Sequence, residues 1–373
     1  MRVFVVIGTR PEAIKILPLA KELKKYDEFE VKICFSSQHK SLTESVFFDF
    51  EILPDFTFLG AKDGWSLNEM TRELLNYFDV IFSEERPDWV LVHGDTTTAF
   101  CASLAAFYLK IKVVHIEAGL RTFDVSSPFP EEFNRVAIDA MSNVHFAPTK
   151  TDAENLVKEG RELIFTVGNT VIDALEYSLK SDVSSSILNE LGGRKLVLVT
   201  THRRENFGER MHSALLGIRD VINSRDDVLA IVSVHPNPRV KAVVEEVLGN
   251  IKNIKMIEPL PMIEFHNLLS HADVILSDSG GIQEEAAHLG LPLFLLREKT
   301  ERHECLSLPN TRLVGCSRQT VARELSAFLD SPSLQDKMRV PSNAFGNGDA
   351  SIKIAEILLK ITKKQNSTDK WGI

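Results

Sequence analysis

From one end of this chain to the other, short β-branched and apolar runs alternate with amphipathic helical stretches. No other property restricts its fold as tightly. Val3–Ile7 has the pattern of a buried strand, and Ala13, Leu17, Ala20 and Leu23 then fall on one face of a helix. Strand patterns follow at Val31–Phe35, at Trp89–Val92 with a helix after it through Leu109, and at Val113–Ile116. After Arg194 the rhythm restarts at Lys195–Thr200, Val228–Val234, Val274–Ser277 and Leu293–Leu296. Parallel strands need long crossovers, so such alternation predicts α/β architecture: parallel sheets covered by helices on both faces. A chain of 373 residues exceeds what one compact core usually holds, and two blocks of similar rhythm predict two doubly wound domains. The Ser-rich stretch Ser181–Ser186 and the pair Gly192-Gly193 place the junction between Gly168 and Arg194. Ile352–Thr362 reads as a helix with one apolar face, completing the second domain or crossing back onto the first.

Charge narrows the function classes. Lys and Arg total 43 against 52 Asp and Glu, a net charge of −9, which disfavours nucleic acid and anionic lipid as partners. Any phosphate site must therefore be a local pocket. Cys34, Cys101, Cys305 and Cys316 lie far apart without a CxxC pair, which argues against zinc and disulfides and suits a reducing cytosol. The apolar start, Val3–Ile7, is too short for a secretion signal, and no apolar run approaches the roughly 18 residues of a membrane span. The expectation is a cytoplasmic protein with no membrane contact.

In open parallel sheets ligands bind beyond the carboxyl ends of the strands, so the residues that follow each strand matter most. The first strand ends in Gly8-Thr9-Arg10-Pro11-Glu12, where Thr9 and Glu12 have capping-box spacing. Arg10 and Lys15 add two cations near a helix N-terminus already positive through its dipole, which points to an anion. Asp95 follows the Trp89 strand, Glu117 follows the next in His115-Ile116-Glu117-Ala118-Gly119-Leu120-Arg121-Thr122, and Glu131 comes soon after in Pro130-Glu131-Glu132-Phe133-Asn134-Arg135. Each alone reads as a cap or a solvated acid. Three carboxyls at one sheet edge predict raised proton affinity and proton transfer near neutral pH. In the second block, Thr201-His202-Arg203-Arg204-Glu205-Asn206 follows the first strand, with His202 the candidate donor to a diphosphate. Ser279-Gly280-Gly281 opens a helix there, so that backbone N–H groups can face phosphate, and Glu285 lies one turn in, where ribose hydroxyls could reach it. Neither GxGxxG nor GxxxxGK[ST] occurs, and the histidines lack metal-ligand spacing.

Seven strings taken in order, Gly8–Glu12, His93–Thr98, His115–Thr122, Pro130–Arg135, Gly168–Thr170, His202–Asn206 and Ser279–Glu285, resemble the non-hydrolysing UDP-N-acetylglucosamine 2-epimerases. The resemblance implies a glycosyltransferase-B type fold, with residues 1–168 and 169–351 facing a cleft and the helix of 352–373 returning to the first domain. It implies interconversion of UDP-N-acetylglucosamine and UDP-N-acetylmannosamine by elimination of UDP to 2-acetamidoglucal and re-addition, with neither NAD nor an obligatory metal, in a homodimer. It assigns Asp95, Glu117 and Glu131 as catalytic carboxyls. Arg10, Lys15 and His202 then hold diphosphate and sugar, Ser279, Gly280, Gly281 and Arg302 the diphosphate, Glu285 the ribose, and Phe265 with the Leu260 backbone the uracil. His303 stands where the family commonly has Pro. Gln38-His39 resembles a segment that binds an activating second UDP-sugar in some members, but Ser41 and Gly64 replace the polar and basic residues expected around it. The alternatives are a 2-epimerase of a modified sugar such as a UDP-2,3-diacetamido uronic acid, a hydrolysing epimerase, a glycosyltransferase on the same fold, and a catalytically silent sensor.

Overall fold

The computed structural model describes residues 1–36, 40–60, 64–180, 186–201, 203 and 206–368; Gln38, His39 and His202 lie outside the described residues. The chain divides into two compact units, one of Met1–Ala174 with the segment from Gly346 onward, the other of Leu175–Phe345.

The first unit runs β1 (Arg2–Ile7), α1 (Arg10–Leu23), β2 (Glu30–Phe35), α2 (Lys40–Asp49), β3 (Phe56–Thr57), α3 (Leu67–Glu85), β4 (Trp89–His93), α4 (Thr97–Tyr108), β5 (Lys112–Ile116), α5 (Glu131–Met141), β6 (Val144–Ala147), α6 (Lys150–Lys158), β7 (Ile164–Thr166) and the start of α7 (Thr170–Leu179). Its strands are all parallel, in the order β3-β2-β1-β4-β5-β6-β7. Capping boxes start α1 at Thr9, α3 at Ser66 and α6 at Thr149, each tying an exposed N–H to a side chain three residues away. Phe4 and Val6 of β1 pack with Phe78 and Phe82 of α3 and Ala102 of α4. The alternate β1 residues Val3, Val5 and Ile7 are buried as well, as expected of a strand covered on both faces.

The second unit continues through α8 (Ser186–Asn189), β8 (Lys195–Thr201), α9 (Glu209–Ile222), β9 (Val228–Val234), α10 (Pro238–Leu248), β10 (Ile254–Ile257), α11 (Met262–Ser270), β11 (Val274–Ser277), α12 (Gly280–Leu289), β12 (Leu293–Leu295), a 3-10 turn (His303–Ser307), β13 (Thr311–Leu313), α13 (Arg318–Asp330) and α14 (Pro332–Met338). Its parallel sheet has the order β10-β9-β8-β11-β12-β13. Along β8, Leu196 and Leu198 join one apolar cluster while Val197 and Val199 join the opposite one, the period-two signature of a doubly covered strand.

The last helix, α15 (Ala350–Thr368), belongs to the first unit and packs on α1. Asp173 caps it by accepting from the backbone N–H groups of Ala350 at 3.3 Å and Ser351 at 2.7 Å. Every strand expected from the sequence is present. The unexpected ones, β3, β6, β7, β10 and β13, are two to four residues long and so carry too few alternations to be read. No helix among the described residues is long and apolar enough to cross a membrane.

Candidate active site

The first sheet reverses its winding between β1 and β4, the kind of point where doubly wound sheets take their ligands. Beyond β1, Glu12 accepts from the N–H of Gly8 at 3.1 Å and of Thr9 at 2.6 Å. The same carboxyl accepts the Thr96 hydroxyl at 2.7 Å, joining this loop to the one beyond β4. Burial pushes the Glu12 carboxyl up to about 7, against the opposing pull of hydrogen bonds from Thr96, Thr9 and Gly8. Arg10 opens α1; burial lowers its proton affinity, with Asp49 at the end of α2 acting against that.

Glu117 follows β5 with a φ of 65°, in the left-handed region. Its carboxylate pairs with Lys15 of α1, accepts from Asn169 Nδ2 at 2.8 Å and lies 3.8 Å from His93 Nδ1. A Cβ added at Gly94 would stand 3.2 Å from Glu117 Oε2, so the loop carrying Asp95 runs directly beside this carboxylate. Asp95 pairs with Arg135, and its carbonyl accepts from Asn134 Nδ2 at 2.9 Å. Both partners stand on α5, which opens at Glu131. Glu132 turns inward, accepting from the N–H groups of Thr122 and Phe123 at 2.9 Å each and pairing with Arg135 at 3.2 Å. Among the described residues the half-buried Glu131 carboxyl has no hydrogen-bond or ion-pair partner.

The structure thus brings Lys15, Asp95 and Glu117 together at neighbouring strand ends and puts Glu131 on the helix that braces Asp95. The Lys15 ammonium meets Glu117. Asp95 and Glu117 each meet a cation, Arg135 (which also meets Glu132) and Lys15, and beside them burial raises the proton affinity of Glu12.

In the second unit the winding reverses between β8 and β11. Asp278, just beyond β11, accepts from Thr201 Oγ1 at 2.8 Å, the Arg203 N–H at 3.1 Å and Asn206 Nδ2 at 3.0 Å. The Ser279 side chain makes no cap bond to α12, so the first-turn N–H groups, those of Gly280 and Gly281 included, have no side-chain cap from it. A Cβ at Gly280 would stand 3.2 Å from Arg203 Nη2 and 3.2 Å from Arg302 Nη1, so glycine is what lets two guanidiniums approach the helix start. Glu301 organises them: it accepts from Arg203 Nη2 at 3.2 Å and Arg302 Nη1 at 2.5 Å, and meets Arg297 Nη2 at 3.0 Å. Burial works against a charge on Glu301, but Arg302, Arg203 and Arg297 hold its carboxyl well below the usual carboxylate range. Arg302 also donates to Glu284 at 2.8 Å, so three guanidiniums gather around Glu301 and Glu284 at this helix start.

Glu285 is buried within α12, 3.5 Å from His266 Nε2, and His266 Nδ1 bonds Ser178 Oγ at 2.8 Å. Among the described residues Glu285 Oε2 has no hydrogen-bond partner, an orphaned acceptor that calls for a donor. Leu260 and the partly buried Phe265 pack on the cluster of Leu196 and Ile275. His303 is exposed at the start of its 3-10 turn. Sequence reasoning missed His93, Asn169, Arg203 and Glu301 as site residues. His93, Asn169 and Arg203 sit in strings already singled out, but the carboxylates they meet lie 24 to 98 residues away; Glu301 stands beside Arg302.

The family model described as UDP-N-acetylglucosamine 2-epimerase matches residues 21–359. A UDP-N-acetylglucosamine 2-epimerase of Bacillus subtilis (strain 168) is 43% identical over 361 residues, covering 96% of this chain and 95% of that protein. The crystal structure of UDP-GlcNAc 2-epimerase from Neisseria meningitidis bound to UDP-GlcNAc has a TM-score of 0.92 at 40% identity, covering 96% of this chain and 100% of that one. The glycotransferase of kitacinnamycin, with a TM-score of 0.64 at 12% identity, shares the fold alone, which is of the glycosyltransferase-B type. With a family match across most of its length and relatives near two-fifths identity, this chain belongs to the UDP-N-acetylglucosamine 2-epimerase family.

Proposed function

We propose that this protein is an isomerase that interconverts UDP-N-acetylglucosamine and UDP-N-acetylmannosamine, supplying precursors for cell-surface polysaccharide. The observation that carries the reading is the placing of Asp95 and Glu117 at the ends of adjacent parallel strands, side by side and each in contact with a cation. The proton on carbon 2 of the sugar is weakly acidic, so its removal must be coupled to departure of UDP. In the forward step a carboxylate takes that proton, the C–H electron pair forms the C1–C2 double bond, and the C1–O bond breaks with its pair leaving on UDP. The product, 2-acetamidoglucal, accepts a proton at carbon 2 on the opposite face while the UDP oxygen returns to carbon 1.

Asp95, Glu117 and Glu131 are the groups assigned to this proton traffic. Glu131, without a protein partner among the described residues, is open to the sugar, while Lys15 and Asn169 keep Glu117 oriented. Ser279, Gly280, Gly281, Arg302 and, in addition, Arg203 hold the diphosphate. Arg10 and His202 assist at the diphosphate and sugar. Glu285 takes the ribose hydroxyls through its orphaned oxygen, and Phe265 with the Leu260 backbone takes the uracil. Neither NAD nor a metal enters the scheme.

A homodimer and a cytoplasmic location complete the reading. Phe107 and Tyr108 of α4 and Phe133 of α5 are exposed, and Phe133 sits 5.9 Å from the Phe100 ring of α4, giving an apolar face on the first unit. The buried, free cysteines suit a reducing compartment. The deciding assay incubates the protein with UDP-N-acetylglucosamine in deuterated water and follows the sugar by NMR. A manno product carrying deuterium at carbon 2 supports epimerisation. Release of free sugar would point to hydrolysis, and absence of exchange to a transferase or a sensor.

A further inference from the structure

Asp139, buried on α5, touches neither of the loops' carboxylates, yet it fastens both loops that carry them. Its Oδ1 lies 2.6 Å from His115 Nδ1, and His115 Nε2 lies 2.8 Å from the carbonyl oxygen of Gly94, the residue before Asp95. Its Oδ2 accepts from the N–H of Gly119, two residues after Glu117, at 3.3 Å, and from Arg121 Nη2 at 2.7 Å. Arg121 is in turn gripped by Glu159 through two bonds of 2.8 Å. Asp139 and His115 are wholly buried, so water cannot substitute for these bonds.

Burial disfavours the Asp139 charge, but His115 and Arg121 together hold its carboxyl below the ordinary range. An anion therefore anchors both arms. The loops it anchors need such an anchor. Glu117 has a left-handed backbone with φ 65°, a conformation that persists in a non-glycine residue only when its surroundings over-determine it. Gly94 at φ 64° and Gly119 at φ 89° turn the same way, and both take bonds from this one network.

We propose that Asp139, acting through His115 and the Gly119 N–H, is a positioning residue that sets the spacing of Asp95 and Glu117 for proton transfer. This rests on the reading of Asp95 and Glu117 as reacting carboxyls. In Asp139→Asn the amide keeps one acceptor for His115 but turns a donor toward the Gly119 N–H and Arg121, releasing the Glu117 loop. The expected result is a fall in kcat of about 100-fold, the cost of roughly an ångström of misplacement, with a parallel fall in solvent deuterium incorporation at carbon 2. The KM and the Kd for UDP should stay within about threefold, because UDP is held by other residues; this split is what a merely structural role would not give.

His115→Asn tests the other arm and serves as the second variant should Asp139→Asn fail to fold. It should lose kcat in the same sense while circular dichroism stays native. A kcat within about threefold of the parent in whichever of the two variants folds would overturn the proposal, as would a loss confined to KM. Asp95→Asn and Glu117→Gln run alongside separate the two claims: turnover surviving in those variants defeats the underlying reading, whereas turnover lost in them but kept in Asp139→Asn defeats only the positioning role.

Discussion

The two units solve opposite electrostatic problems at matching points of matching sheets. At the strand ends of the first sheet, carboxylates outnumber the cations that meet them: Lys15 pairs with Glu117, while Arg135 is shared between Asp95 and Glu132. Where the second reverses its winding, guanidiniums are presented and one carboxylate, Glu301, holds three of them. A carboxylate is a group that can take up and release a proton, and an adjacent cation favours its charged form. Guanidiniums gathered by a buried acid supply fixed N–H donors of the kind that suit a diphosphate and have no proton to trade near neutral pH. On the proposed function, the same fold then serves proton chemistry in one unit and anion binding in the other, and the difference lies in which side chains stand beyond the strands.

The sharpest way to break the comparison is to neutralise the first unit's acids. Asp95→Asn, Glu117→Gln and Glu131→Gln should each lose about 10²- to 10⁴-fold in turnover, the usual worth of a positioned acid or base, while calorimetry still finds UDP bound. Near-normal deuterium exchange in any one removes that residue from the chemistry. The opposite manipulation, Glu301→Gln, should act on stability, since it strands buried guanidiniums; about 3–5 kcal/mol is the scale for removing one partner of a buried pair. The folded-state pKa of Glu301 is depressed, so its contribution is present above the unfolded value of about 4.3 and is lost as pH falls through the folded one. Denaturant melts of the parent and Glu301→Gln should therefore converge in acid, and a constant gap down to strongly acid pH would contradict the anchoring role.

Arg302→Ala should weaken UDP binding about 10- to 100-fold, as expected for a charge-assisted contact of about 1.5–3 kcal/mol, with a smaller change in deuterium exchange at saturating substrate. An unchanged Kd would remove Arg302 from the diphosphate seat. Glu12 tests the same linkage with the opposite sign, because its folded-state pKa of about 7 lies above the unfolded one. Its contribution is complete below about pH 4.3 and is lost as pH rises through 7, at no more than about 1.4 kcal/mol per pH unit. Relative to Glu12→Gln, the parent should lose stability from about pH 4.5 to 7 and hold a constant difference above that. Parallel stability curves across that window would show that the carboxyl ionises normally.

Much of this molecule was legible before any coordinates. Caps, periodicity and the Gly280-Gly281 helix start are local, and the strands of the two sheet centres were readable because they are apolar runs buried on both faces. The edge strands were not, because pairs such as Phe56–Thr57 are too short to show a period. Within the site, Asp95, Glu117 and Glu131 stood out as acids beyond strands, while Glu12 passed as a plain cap because nothing near it in sequence signals that Thr96 will close over it.

By itself, then, the amino-acid order determined the doubly wound class, the existence of two units, and the family resemblance carried by a few short strings. Tertiary structure decided the partnerships: Lys15 on Glu117 across 102 residues, Asn169 on the same acid across 52, Arg203 on Glu301 across 98. The reason is physical. Backbone preference and hydrophobic period act over a few residues, whereas a charge chooses among all the groups that folding brings within about 4 Å, and burial sharpens that choice by removing water as the competing partner.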